Sequence, residues 1–377
     1  MPVNPFHYGT PATGPNFAGR SVELAALLSR MRSQVNVVLV SPRRYGKTSL
    51  ILRATGILAS GRPRAAVVST NVFLCKDLAT LAGRLVTGLY RVPGGRWHRA
   101  RAGVPEFVGR LRVAPTVTFD ADGRPTFAFA PGLASTDADT LIADVYTALA
   151  HEATGRPAVL VLDEFQAITR HGEHLPRLLK GLADQHPSVC LVVAGSRRHL
   201  MERLVTDDGA PLYGMAQRLA VGPIPDLVML EYLSQRAEAG GKPLAAGGGE
   251  LVIALAGPVP NDIQHLAFEA YELAGRRITT DAVRAGLERA VAHESDLYAE
   301  RLAAMSPGQG RVAVSLAAGD PGPIFTGSFA RTVALAGGQS VKKAIDALAA
   351  DETVVQRDGR WVVGDPFFAA WLRQATG

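Results

Sequence analysis

The sequence is poor in cysteine, with Cys75 and Cys190 alone among 377 residues. Each lies inside an apolar run, and no histidine or cysteine recurs at metal-ligand spacing, so neither a disulfide framework nor a zinc site is expected. Long apolar runs are missing as well. Nothing reaches the roughly 18–20 consecutive apolar residues that a membrane helix needs. The first residues, Met1-Pro2-Val3-Asn4-Pro5-Phe6, show no basic stretch followed by an apolar core, so no secretory signal is expected. Together these absences predict a soluble protein of the cytoplasm, with two reduced, buried thiols and no membrane contact.

What is present is an ordinary globular composition, 47% apolar and 20% charged, in a chain long enough for two or three domains. The formal charge of +6 permits contact with nucleic acid without requiring it. Part of the excess is local: Arg91, Arg96, Arg99, Arg101, Arg110 and Arg112 face one acid, Glu106, over the same stretch. Trp97 and Phe107 are the aromatics that interleave these arginines, few beside the several that platforms stacking nucleic-acid bases use, so a solvated basic face is the expected reading.

Strand and helix periods alternate through the first half, which predicts an α/β fold with a mostly parallel sheet covered by helices on both faces. Val35–Val40 and Ala158–Leu162 are short, continuous apolar runs and read as buried strands. Further strands are expected at Ala65–Val68, Val189–Ala194 and Arg218–Val221, with helices at Ser21–Arg32, Asp137–Glu152 and Leu175–Gln185. Residues 92–135 break the rhythm and read as an insertion. It carries a hairpin, Thr116–Phe119 with Thr126–Phe129, turned through Asp120-Ala121-Asp122-Gly123. This gives a first domain over 1–224, a small helical domain over 225–305, and a last domain over 306–377 with three helices and a two-stranded hairpin, the order of a winged helix. Its recognition helix is expected to open at Ser340, a good amino-terminal cap.

Ser41-Pro42-Arg43-Arg44-Tyr45-Gly46-Lys47-Thr48 lies between a buried strand and a helix. In that setting backbone amides at a helix amino terminus wrap phosphates, the lysine meets the β and γ oxygens, and the threonine hydroxyl binds Mg²⁺. The first position of the G-x-x-x-x-G-K-[ST] pattern is Ser41. Its Cβ is expected to restrict the loop. The run Val159-Leu160-Val161-Leu162 ends in Asp163-Glu164, so Asp163 is the candidate for the Mg²⁺ shell and Glu164 for orienting the attacking water. Ser196 ends a third strand and is a candidate contact to the γ-phosphate or the water. Arg197, Arg198 and Arg203 follow as candidate transition-state cations.

These motifs resemble the archaeal-type ATPases of the STAND class within the AAA+ superfamily, over nearly the whole chain. Phe17-Ala18-Gly19-Arg20 with Glu23-Leu24 is similar to the box that borders the adenine, which implies nucleotide contacts for Gly19 and Arg20. Pro42-Arg43-Arg44-Tyr45-Gly46-Lys47-Thr48-Ser49 resembles the family's phosphate loop, and Leu162-Asp163-Glu164-Phe165-Gln166 its Walker B strand. Gly195-Ser196 is similar to its sensor strand, Pro211-Leu212-Tyr213-Gly214 to the segment after it, and Asp365-Pro366-Phe367-Phe368 with Trp371-Leu372-Arg373 to the end of its winged helix. Met215 stands where many members carry arginine, and Gly257-Pro258-Val259-Pro260 approximates the family's lid turn. The resemblance implies ATP or ADP with Mg²⁺ as ligands and a lid over residues 225–305.

Three functions stay open at this level. One is a regulatory ATPase whose winged helix meets a protein partner or DNA as nucleotide state changes. Another is a nucleotide-locked binding module with negligible turnover. The last is a nucleic-acid remodeller using the arginine-rich insert. Lys342, Lys343, Arg357 and Arg360 are nearly cancelled by Asp346, Asp351, Glu352 and Asp358, so DNA binding through residues 340–360 is expected to be weak and sequence-independent.

Overall fold

Runs of Val, Leu and Ala that are apolar at every position can be buried only in a strand covered on both faces. In the computed structural model, which describes residues 3–93, 108–109, 111–129, 134–167, 174–197, 200–201, 203–205, 210 and 212–376, these runs form the middle of a parallel sheet. The first unit of the chain holds α1 (Ser21–Arg32), β1 (Val37–Val40), α2 (Lys47–Ser60), β2 (Ala66–Asn71) and α3 (Leu78–Tyr90). After them come β3 (Thr116–Phe119), β4 (Pro125–Ala128), α4 (Ser135–Glu152), β5 (Ala158–Asp163), α5 (His174–Gln185), β6 (Val189–Gly195) and β7 (Gln217–Ala220). The sheet order is β2-β5-β6-β1-β7, parallel throughout.

Side chains alternate across each strand, so the inner strands β5, β6 and β1 feed two cores. Leu160 and Leu162 of β5 pack with Leu81, Leu85, Leu141, Val145 and Leu179 from α3, α4 and α5. Val159 and Val161 pack with Leu27, Met31, Leu50 and Ala54 from α1 and α2. Helices therefore cover both faces, as the strand pattern predicts.

The hairpin β3–β4 pairs Thr116 with Ala128 and Phe119 with Pro125, placing its second strand one residue earlier than the sequence pattern. Asp120 fixes its turn by accepting from the amides of Asp122 and Arg124. Phe127, nearly fully buried, anchors the hairpin on α3 through a 3.0 Å bond from its N–H to Thr87 Oγ1. Arg96, Trp97, Arg99, Arg101 and Arg110 lie outside the described residues. Arg91 and Arg112 are each paired with an acid, Asp120 at 3.1 Å and Asp144 at 2.7 Å.

Contacts divide the chain into two compact units, 11–223 and a second that joins 224–377 to the first ten residues. The second unit contains α6 (Asp226–Ala239), α7 (Gly248–Ala256), α8 (Pro260–Leu273), α9 (Thr280–His293) and α10 (Ser295–Ala303). It continues with α11 (Pro307–Ala318), α12 (Gly327–Thr332), α13 (Gly338–Ala350), β8 (Val354–Arg357), β9 (Arg360–Val363) and α14 (Pro366–Thr376). Among the described residues no helix is long and apolar enough to cross a membrane.

Residues 3–10 differ from the expected 1–224 span because their contacts are with helices of the second unit. Phe6 is fully buried edge-on to Tyr271, and Asn4 Nδ2 donates to the Phe268 carbonyl at 3.1 Å and to Glu272 at 2.7 Å. The Pro5 carbonyl accepts from Arg236 Nη2 at 2.6 Å, and the Tyr8 ring stacks on His265 at 4.0 Å. The start of α13 also differs from expectation. It opens at Gly338 with Gly337 as cap, so Ser340 lies inside the first turn and caps nothing. A Cβ on Gly338 would stand 2.8 Å from the Phe325 carbonyl, a close approach that only glycine allows.

Truncating a fully buried aromatic ring costs about 3–5 kcal/mol. Phe6→Ala is expected to lower the denaturant midpoint of the second unit by a corresponding amount and leave the sheet unit unchanged, as read by hydrogen exchange in α8 and in β5.

Candidate functional site

Parallel strands end on the same side of a sheet, and here β6 lies between β5 and β1. The loop after β1, the two acids that end β5, and the serine after β6 are thereby brought to one edge. Ser41 is fully buried at the end of β1, its N–H bonded to the Gly195 carbonyl at 3.3 Å and its Oγ to the Pro42 carbonyl at 3.2 Å. Its backbone lies outside the left-handed region. The restriction expected from its Cβ is therefore not seen: the positions with positive φ in this loop are Arg44 at 67° and Gly46 at 85°. Gly46 is the cap of α2, where glycine carries no steric cost. Arg43 and Arg44 are exposed and Tyr45 is half-buried.

Lys47 opens α2 and is almost wholly buried. An unpaired ammonium is very unfavourable there, and it is satisfied by two carboxylates. Its Nζ bonds to Asp163 Oδ1 and, at 2.6 Å, to Glu164 Oε1. Thr48 Oγ1 donates to Asp163 Oδ2 at 2.7 Å. The Glu164 backbone N–H donates to Asp163 Oδ1 at 2.8 Å, with Glu164 itself at φ 52°. A non-glycine residue in that region is strained, by on the order of 1–3 kcal/mol, and such strain concentrates at functional sites. Ser196, buried, donates from Oγ to Glu164 Oε2 at 3.1 Å. Lys47, Thr48, Asp163, Glu164 and Ser196 thus form one continuous network.

Ser49 lies one residue further along α2 and accepts the Ala12 N–H at 2.8 Å. Gly19 and Arg20 both have positive φ, at 55° and 65°. The buried Arg20 guanidinium is committed to Glu23 at 2.8 Å, the Tyr45 carbonyl at 3.0 Å, and the carbonyls of Gly222 and Pro223. The side chain braces the loop backbone at Tyr45 against the segment leaving β7. Arg197 and Arg203 are exposed, and Arg198 lies outside the described residues. Met215 packs on the sheet core.

Sequence reasoning gave no role to Gln166. Its Nε2 donates to Glu164 Oε2 and to Ser196 Oγ, and its Oε1 accepts the Ser196 N–H at 3.2 Å. The available signal is its position two residues after Glu164, on the short 3-10 turn over 165–167.

Thr48 and Asp163 present hard oxygens within 2.7 Å of each other, a donor set that fits Mg²⁺. No group of three or more His, Cys, Asp or Glu at metal-binding distance occurs among the described residues. A metal here would take its other ligands from phosphate and water, the usual arrangement for Mg²⁺.

Burial alone would raise the Glu164 carboxyl, but the charge of Lys47 and hydrogen bonds from Lys47, Gln166 and Ser196 outweigh it and hold the carboxyl below its ordinary value of 4.5. A carboxyl depressed in the folded state adds stability that is present above its unfolded value and is lost as pH falls through the folded one. The stability difference between wild type and Glu164→Gln is therefore expected to be steady from pH 7 to about 5, then to shrink on further acidification. Denaturant unfolding across that range measures it, and a difference independent of pH would contradict the geometry.

The carboxy-terminal residues 296–374 match a family model described as a probable winged helix domain. No curated protein matches the chain by sequence. Among solved structures, the chain is similar in fold to a Walker-type ATPase of Pyrococcus abyssi, with TM-score 0.65 and 17% identity over 98% of this chain and 99% of that one. The ORC2 protein of Aeropyrum pernix, solved in ADPNP and ADP complexes, is similar at TM-score 0.55 and 14% identity over 99% and 98% of the two chains. The ORC1 protein of the same organism, solved in complex with DNA, is similar at TM-score 0.52 and 16% identity over 96% and 94%. The chain thus shares with these structures an α/β fold built on a five-stranded parallel sheet, and its carboxy-terminal stretch matches a winged helix model.

Proposed function

We propose that the chain is a regulatory ATPase of the archaeal-type STAND class, binding ATP and ADP with Mg²⁺ and coupling nucleotide state to its winged helix. The observation that carries this reading is the buried Lys47 ammonium held between Asp163 and Glu164 at the end of parallel strands, with Thr48 on the same Asp163. The solved relatives point the same way, one being described as a Walker-type ATPase and one as bound to ADPNP and ADP.

In this reading the phosphates lie across Arg43–Ser49 and meet the loop amides, and Lys47 exchanges its two carboxylates for β and γ oxygens. Thr48 and Asp163 would hold Mg²⁺, which would supply charge neutralisation on the transferring phosphoryl group. Glu164 orients a water whose oxygen attacks the γ-phosphorus as the bridging bond to the β-phosphate breaks, yielding ADP and phosphate. Ser196 contacts the γ-phosphate or that water. Gly19 borders the nucleotide through its backbone, while Arg20 acts on it indirectly by holding the Tyr45 carbonyl. Residues 225–305 serve as a helical lid and 306–377 as the winged-helix domain.

One observation favours the second reading, a nucleotide-locked module of negligible turnover: Glu164 is tied up by three partners and its carboxyl is a weak base. The two readings separate in two variants. Lys47→Ala is expected to lose most triphosphate affinity. Glu164→Gln is expected to keep binding and lower turnover by about 10²–10⁴-fold. Equal hydrolysis in wild type and Glu164→Gln would favour the locked module.

The winged helix is proposed to meet a protein partner, with only weak DNA contact. Lys342 and Lys343 are exposed on α13, but both hairpin arginines are engaged, Arg357 with the Gly364 carbonyl at 2.8 Å and Arg360 with Asp320 at 2.6 Å. Any DNA binding is expected to be independent of sequence, with a log–log salt slope of about −2 to −4. Lys342→Glu with Lys343→Glu should abolish it. Nanomolar, sequence-selective binding at physiological salt would contradict this assignment.

A further inference from the structure

Gln166 takes no part in the chemistry above, yet it is bonded on every side to groups that do. It is nine-tenths buried on the turn that follows β5. Its neighbours fix which way its amide points. The Ser196 backbone N–H is a donor, so the Gln166 atom it meets at 3.2 Å must be the carbonyl oxygen. That orientation turns Nε2 towards Glu164 Oε2 and, at 3.1 Å, towards Ser196 Oγ. Ser196 Oγ donates to the same glutamate oxygen.

The two oxygens of Glu164 are thus held by different kinds of group. Oε2 is held by a neutral amide and a neutral hydroxyl. Oε1 is held at 2.6 Å by Lys47, a cation for which phosphate oxygens compete. Gly195 makes room for this arrangement, since a Cβ there would overlap Gln166 Oε1 and Met201 Sδ. We infer that Gln166 is a positioning residue whose amide clamps Glu164 Oε2, so that departure of Lys47 to a triphosphate frees Oε1 alone to meet the water. The inference rests on the proposed role of Glu164 and deepens it. A carboxylate held by one oxygen presents the other in a single direction, which is the orientation that an attacking water needs.

The test is a double-mutant cycle on the full chain, with turnover and binding of a fluorescent ATP analogue measured side by side. Gln166→Ala and Gln166→Met, the second keeping the buried volume, are expected to bind the analogue as wild type does. Both should lower kcat by about 10–100-fold, the range typical of lost outer-shell support. In a Glu164→Gln background the same changes should leave kcat where it is, because no carboxylate remains to be positioned. Losses that add in both backgrounds, together with weakened binding, would mean a packing role and overturn the inference. So would wild-type kcat in both Gln166 variants while Glu164→Gln is slow. If Glu164→Gln is as fast as wild type, the role of Glu164 itself falls, and the inference falls with it.

Discussion

A buried ammonium cannot stand alone, and the arrangement around Lys47 follows from that constraint. The charge sits at the first residue of α2, where the helix amino terminus disfavours a cation, and almost no water reaches it. Two carboxylates answer it, and both come from the end of β5. The pairing needs β1 and β5 to be parallel and to end at the same level with one strand between them. The sheet order supplies that, and the intervening strand β6 adds Ser196 to the same edge. Helices on both faces keep the strands dry enough for the charge to matter.

A charge network closed in this way is suited to exchange. Breaking a buried ion pair by removing one partner is costly, whereas replacing one anion by another conserves the charge balance. A triphosphate is the replacement that the loop amides and Thr48 are placed to receive in the proposed function. The cost of leaving the acids is then offset at the phosphates, and the glutamate loses its cation in the same step. Nucleotide arrival and release of the proposed water-orienting group become one event. On the inference drawn above, Gln166 and Ser196 hold Glu164 Oε2 through that release.

Much of this was legible in the sequence because the strands are buried on both sides and announce themselves as continuous apolar runs. Val37–Val40, Ala158–Asp163 and Val189–Gly195 fall within a residue or two of the pattern, and the acids and the lysine follow from their places at strand and helix ends. The order β2-β5-β6-β1-β7 is not written in any local pattern, since it is set by pairing across the chain. Gln166 was invisible as a positioning group because its partners, Glu164 and Ser196, are 2 and 30 residues away and converge only in the folded sheet. The nucleotide contact expected of Arg20 came from resemblance to a family box, and nothing in that motif announces the bonds its guanidinium makes to the carbonyls of Tyr45 and Gly222. Phe6, alone in a proline-containing stretch, carries no periodicity, so its burial in the second unit had no signal. Ser340 has the chemistry of a cap but not the place, because the helix already opens at Gly338.

On the proposed function, the Asp163 and Glu164 carboxylates stand in for a nucleotide's phosphates on the Lys47 ammonium until those arrive. A crystal structure with Mg²⁺ and a non-hydrolysable ATP analogue tests it most directly. Phosphate oxygens are then expected on the loop amides across Arg43–Ser49 and Lys47 Nζ on the β and γ oxygens in place of Glu164, with Glu164 Oε2 still on Gln166. A loop left empty at millimolar analogue, with Lys47 still paired to both acids, would contradict it.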